Sequence, residues 1–102
     1  MKIEKEIEQR VNYTGSWGST KPKTRRMKYI VHLPDADDTY GSFEMFDIES
    51  GGEEFYGEGG LWFTEQKKLR DYDGVFSLSD VILNICEENG FNVEDIRKTL
   101  SR

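Results

Sequence analysis

The chain has 102 residues, a formal net charge of −6 and 33% charged side chains, which suits one small domain with one modest core. A single cysteine, Cys86, excludes an intramolecular disulfide. No apolar run approaches the ~20 residues of a membrane span, and MKIEKEIEQR lacks the apolar centre of a signal peptide, so a soluble cytoplasmic protein without a membrane role is expected.

Aromatic residues make up 13% of the chain, whereas Ala36 is the sole alanine. Alanine is the strongest helix former, and β-branched and aromatic side chains suit strands, so the composition favours a sheet. Charge is segregated along the chain. Residues 1–33 carry eight basic and three acidic side chains, residues 34–66 ten acidic and none basic, and residues 67–102 six basic and seven acidic. Such blocks give either a bipolar surface or two segments that neutralise each other side by side.

Residues 2–14 (KIEKEIEQRVNYT) have two periodicities. Ile3, Ile7 and Val11 recur every four residues, as on a helix face, but they are also odd-numbered with Tyr13, opposite Glu4, Glu6, Glu8 and Arg10. The next segment, 25–33, alternates Met27, Tyr29, Val31 and Leu33 with Arg26, Lys28, Ile30 and His32. Two alternating segments joined by a Gly/Ser/Pro-rich loop, 15–25, predict a hairpin with Trp17 in the loop. Pro34 ends the second strand. Residues 41–49 predict a third strand, apolar on both faces: Phe43 and Met45 point one way, Phe46 and Ile48 the other, as in a central or doubly covered strand.

The stretch GGEEFYGEGG (51–60) predicts a loop entering a strand, with glycine supplying positive φ. LWF (61–63) and KLRDY (68–72) flank a turn at Glu65–Lys67 and predict a second hairpin, closed by an Asp73-Gly74 turn or bulge. The period then changes. Ser77 and Asp80 suggest a variant capping box, before a helical stripe of Leu78, Val81, Ile82 and Ile85. Gly90 fits a left-handed helix end, and Asn92 is placed to cap a second helix over 93–101 with Val93, Ile96 and Leu100 inward. The expected fold is α+β: an antiparallel sheet of four to five strands built from hairpins, followed by one or two C-terminal helices packed on one face, within a single domain 1–102.

The usual chemistries fail on specific residues. Gly57, Gly59 and Gly60 do not complete a dinucleotide fingerprint because Trp62 stands at its last position, no Lys-Ser/Thr pair makes a P-loop, and Glu53, Glu54 and Glu58 would repel an anion. DADDTYG (35–41) starts like a calcium loop, but Tyr40 and Phe46 stand where the glycine and the bidentate glutamate belong, and DYDG (71–74) fails with Phe76. A loose surface Ca²⁺ site at Asp35, Asp37 and Asp38 is the remaining metal alternative. One histidine and one cysteine do not make a zinc site. Cys86 falls on a helix beside the apolar stripe, as a small buried hydrophobe, and His32 on the polar side of its strand. No catalytic set assembles, no cofactor is expected, and the chain is read as leaning away from enzymes.

Three binding readings follow. Trp17 among Lys21, Lys23, Arg25, Arg26 and Lys28 suits nucleic acid, but the overall acidity argues against it. The acidic 34–66 segment could mimic a nucleic-acid backbone and block a nuclease or regulator, as in small inhibitors of the phage or mobile-element type. The reading adopted is a non-enzymatic protein-interaction module, with another protein or a second copy of itself as partner. Its interaction residues are Tyr56, Trp62, Glu53, Glu54, Glu58 and Trp17, on an aromatic and acidic loop over 51–65 and the loop at Trp17. A small-ligand binder or enzyme with a carboxylate-lined pocket is the alternative from another class.

Overall fold

A computed structural model describes residues 1–14, 20–70 and 79–100, with backbone alone at 12–14, 20–22 and 99–100. Its order is β1 (Lys2–Thr14), β2 (Thr20–His32), β3 (Tyr40–Asp47), β4 (Glu54–Trp62), α1 (Asp80–Glu88) and α2 (Glu94–Leu100). The four strands form one antiparallel sheet in the order β1-β2-β3-β4, and the helices follow it, giving the expected α+β class.

The alternation in β1 and β2 decides their register. Ile3 lies opposite Val31 and Ile7 opposite Met27, while Glu6 meets Lys28 and Glu8 meets Arg26 on the other face. A shift by one residue would turn every apolar side chain to the wrong side. The helical reading of 2–10 therefore gives way to the strand, because a partner with the same period is available. Met27, Tyr29, Val31 and Leu33 are buried with Val11, Phe43, Leu61 and Phe63, and α1 (Ile82, Leu83, Ile85, Cys86), Val93 and Ile96 of α2 complete this core. Full burial of each large apolar side chain stabilises the fold by roughly 1.5–3 kcal/mol. Helices cover one face of the sheet; the other is open among the described residues.

Two expected loops are partly strand. Residues 20–25 pair with β1, up to Thr14 opposite Thr20, with Asn12 opposite Pro22. Pro22 is tolerated there because β3 pairs β2 only from Met27 to His32, so this stretch of β2 has no neighbour on its other side among the described residues. Residues 54–60 belong to β4 rather than to a loop, and of the glycines in 51–60 Gly51 alone has positive φ, at 90°. β3 is flanked by β2 and β4, as its two apolar faces suggested, and a bulge between Met45 and Phe46 interrupts its pairing with β4.

The second hairpin forms as a short arm. Phe63 bridges Leu69, and the Thr64 N–H donates to the Lys68 carbonyl at 2.7 Å. The arm reaches the helical layer through the Leu69 N–H, which donates to the Asn92 carbonyl at 2.9 Å, and through the Phe63 and Phe91 rings, 4.4 Å apart.

The N-cap of α1 is Ser79, without a side-chain cap hydrogen bond; Ser77, Leu78 and the Asp73-Gly74 turn lie outside the described residues. The end of α1 follows the glycine signal: Gly90 has φ +88°, its N–H donates to the Glu87 carbonyl at 3.1 Å, and the Phe91 N–H donates to the Cys86 carbonyl at 3.0 Å. The Glu94 N–H donates to Asn92 Oδ1 at 3.1 Å, so Asn92 caps α2 as its position predicts.

Candidate functional site

The alternation that buries Phe43 and half-buries Met45 turns Tyr40, Ser42, Glu44 and Phe46 of β3 to the open face. Their partners in β4 are Trp62, Gly60, Glu58 and Phe55. Along both strands the face therefore reads aromatic, small, acidic, aromatic. The two aromatic pairs meet edge to face: Tyr40 and Trp62 have centroids 5.2 Å apart, and Phe46 and Phe55 are 6.1 Å apart. Phe55 is 62% exposed, Tyr40 56% and Trp62 38%, a large apolar display for so small a sheet.

Glycine shapes this face. The Trp62 ring folds back over Gly60, where a Cβ would lie 2.5 Å from Cη2. A depression of about 480 Å³ remains between the aromatic and acidic rows, lined by Tyr40, Ser42, Phe43, Glu44, Glu58, Gly59 and Gly60.

The structure separates the expected interaction residues. Trp62 and Glu58 stand on the open face. Tyr56 is the extra residue of the bulge, between Phe55 opposite Phe46 and Gly57 opposite Met45. It is 38% exposed and does not share the register position that sets Phe55 against Phe46. Glu53 is engaged within the chain: Lys28 Nζ lies 2.7 Å from its carboxylate, and this contact holds the lysine pKa above the ordinary value. Glu54 is exposed and pairs with Asp47 in register. Trp17 lies outside the described residues. Phe46 and Phe55 were missed as surface aromatics; counting the period back from Trp62 puts Phe55 off the face, and only the bulge restores it.

The acidic and basic blocks lie side by side. Arg25 grips the buried Asp47 with two contacts, Nε–Oδ2 at 2.9 Å and Nη2–Oδ1 at 3.3 Å. The Arg26 N–H donates to Glu49 at 2.7 Å, and His32 Nε2 lies 3.8 Å from Glu44. Two carboxylates of the acidic block, Asp47 and Glu53, are thus paired with cations of β2.

A further cleft, about 550 Å³, opens at the end of the sheet between the 34–39 turn, the 63–67 arm and the end of α1. Its Asp35 accepts from the N-terminal ammonium at 3.5 Å. Among the described residues no three His, Cys, Asp or Glu side chains gather to hold a metal, so Asp35, Asp37 and Asp38 do not form the Ca²⁺ alternative. Cys86 is fully buried, and burial pushes its thiol up to about 12, which leaves it a packing residue rather than a nucleophile. No helix among the described residues is long and apolar enough to cross a membrane. Comparison with protein-family models, with curated proteins and with solved structures yields no match.

Proposed function

We propose that this protein is a non-enzymatic interaction module that docks another protein on the open face of its sheet. The observation that carries this reading is the pair of registered aromatic contacts, Tyr40–Trp62 and Phe46–Phe55, standing on the face opposite the helices. Exposed aromatics of this kind are the usual anchors of protein interfaces, because they bury much area with few rotatable bonds. Phe55 takes the place of Tyr56 as anchor, and Trp62 keeps its role.

The in-chain matching of Arg25 with Asp47 and of Lys28 with Glu53 supports this reading over nucleic-acid mimicry. A mimic needs its carboxylates free to face a basic groove. The test is capture of partners from nuclease-treated lysate of the source cells by the native chain and by a Phe55→Ala/Trp62→Ala variant, with thermal melts to verify that the variant folds. A stoichiometric protein partner retained by the native chain and lost by the folded variant is the expected result. Equal capture by both would sink the reading.

A further inference from the structure

We infer that the depression between the two rows of the open face receives an arginine side chain of the partner protein. This deepens the docking reading and rests on it. Glu44 and Glu58 are directly opposed in register, so their side chains start about 5 Å apart and repel. Elsewhere on this face the register sets opposite charges together, as at Glu6–Lys28 and Glu8–Arg26. Here His32 Nε2 lies 3.8 Å from Glu44, and Glu58 has no ion pair among the described residues.

Next to the acid pair, Ser42 faces Gly60, which the Trp62 ring overlies, and both line the 480 Å³ depression. Tyr40, in edge-to-face contact with Trp62, lines its far side. Two carboxylates beside aromatic rings match a guanidinium: it donates to two carboxylates from separate edges and stacks its plane on a ring. An ammonium supplies the charge but neither the fork nor the stacking plane. The arginine must come from a protein surface, because the aromatic pairs at both ends of the rows supply apolar contact that a free amino acid would leave unused.

The test is an amide-shift titration of the folded full chain with a blocked Gly-Arg-Gly peptide, its lysine counterpart and its neutral citrulline counterpart. The arginine peptide should shift the amides of Glu44, Glu58, Gly59 and Gly60 and the Trp62 indole. Citrulline should bind about fivefold more weakly, the scale of an exposed charge pair, and Glu44→Gln/Glu58→Gln should weaken the arginine peptide similarly. Removing two opposed charges relieves repulsion, so that variant should melt no lower than the native chain; if it fails to fold, Glu58→Gln alone serves. Shifts spread equally over Asp35, Asp37 and Asp38, or an equal response to citrulline, would overturn the site. Equal response to lysine would overturn the guanidinium assignment. Loss of partner capture in Phe55→Ala/Trp62→Ala without any arginine response would leave the docking face standing and this inference refuted.

Discussion

The ring of Phe43 covers Gly59 across the β3–β4 pair: a Cβ on Gly59 would fall 2.7 Å from both Cε1 and Cζ of that ring. A glycine that weakens a strand on its own is thus filled by the neighbouring aromatic. Gly59→Ala must displace a buried ring, so it should destabilise the fold by about 1–3 kcal/mol, the usual cost of overpacking. Gly57→Ala, with nothing near its Cβ position, should change stability far less. Urea unfolding of the two variants checks the contrast.

Asp47 is buried and held by Arg25, and its Oδ1 also accepts from the Glu49 N–H at 3.0 Å. It fixes the end of β3 to β2 and starts the turn into β4. Asp47→Asn keeps an acceptor for Glu49 but removes the charge that Arg25 is paired with. A loss of about 1–3 kcal/mol in chemical unfolding is expected, from the desolvated groups left imperfectly paired. Loss of the β3–β4 turn amides in hydrogen exchange should accompany it.

Stability should fall in alkaline solution. Burial raises the Cys86 thiol to about 12, whereas an unfolded thiol ionises near ~8.5. A group whose folded pKa is raised stabilises the fold fully below its unfolded pKa and loses that contribution as pH rises through the folded value. The loss should therefore run between about 8.5 and 12, at up to about 1.4 kcal/mol per pH unit. Tyr29, its phenol also raised by burial, adds to the decline at the upper end. Urea midpoints at pH 7, 9 and 10 should drop progressively in the native chain and less steeply in Cys86→Ala. A thiol reagent should label Cys86 only at the rate of unfolding.

Arg97 ties the helices together. Its guanidinium reaches Asp80 at 3.3 Å, Asn84 at 2.9 Å and Glu87 at 3.1 Å, residues that share one face of α1 by their spacing. Each contact is exposed and worth little alone, but one side chain serves three partners. Arg97→Ala should cost about 0.5–1 kcal/mol overall, within the range of exposed pairs, and should increase exchange at α2 amides before those of the sheet. Rising salt should reduce the difference between native chain and variant.

The linear pattern alone determined much of this architecture. Period-two alternation in 25–33 placed Met27, Tyr29, Val31 and Leu33 inward, the period-3.6 stripe placed Ile82 and Ile85 inward, and Gly90 and Asn92 marked the helix ends. These signals are local: side-chain direction follows backbone periodicity, and caps depend on a few neighbouring residues. Tertiary structure decided what depends on a distant partner. Residues 2–10 became a strand because β2 offered a matching register, and Pro22 entered a strand because no third strand lies beside it among the described residues. Gly59 and Gly60 could sit in β4 because Phe43 and Trp62 fill their space. The bulge at Tyr56 turned Phe55 rather than Tyr56 to the open face, and pairing β3 with β4 set Glu44 against Glu58. No count along the chain reveals such relations, since register between strands is fixed by the packing of the whole sheet against its helices.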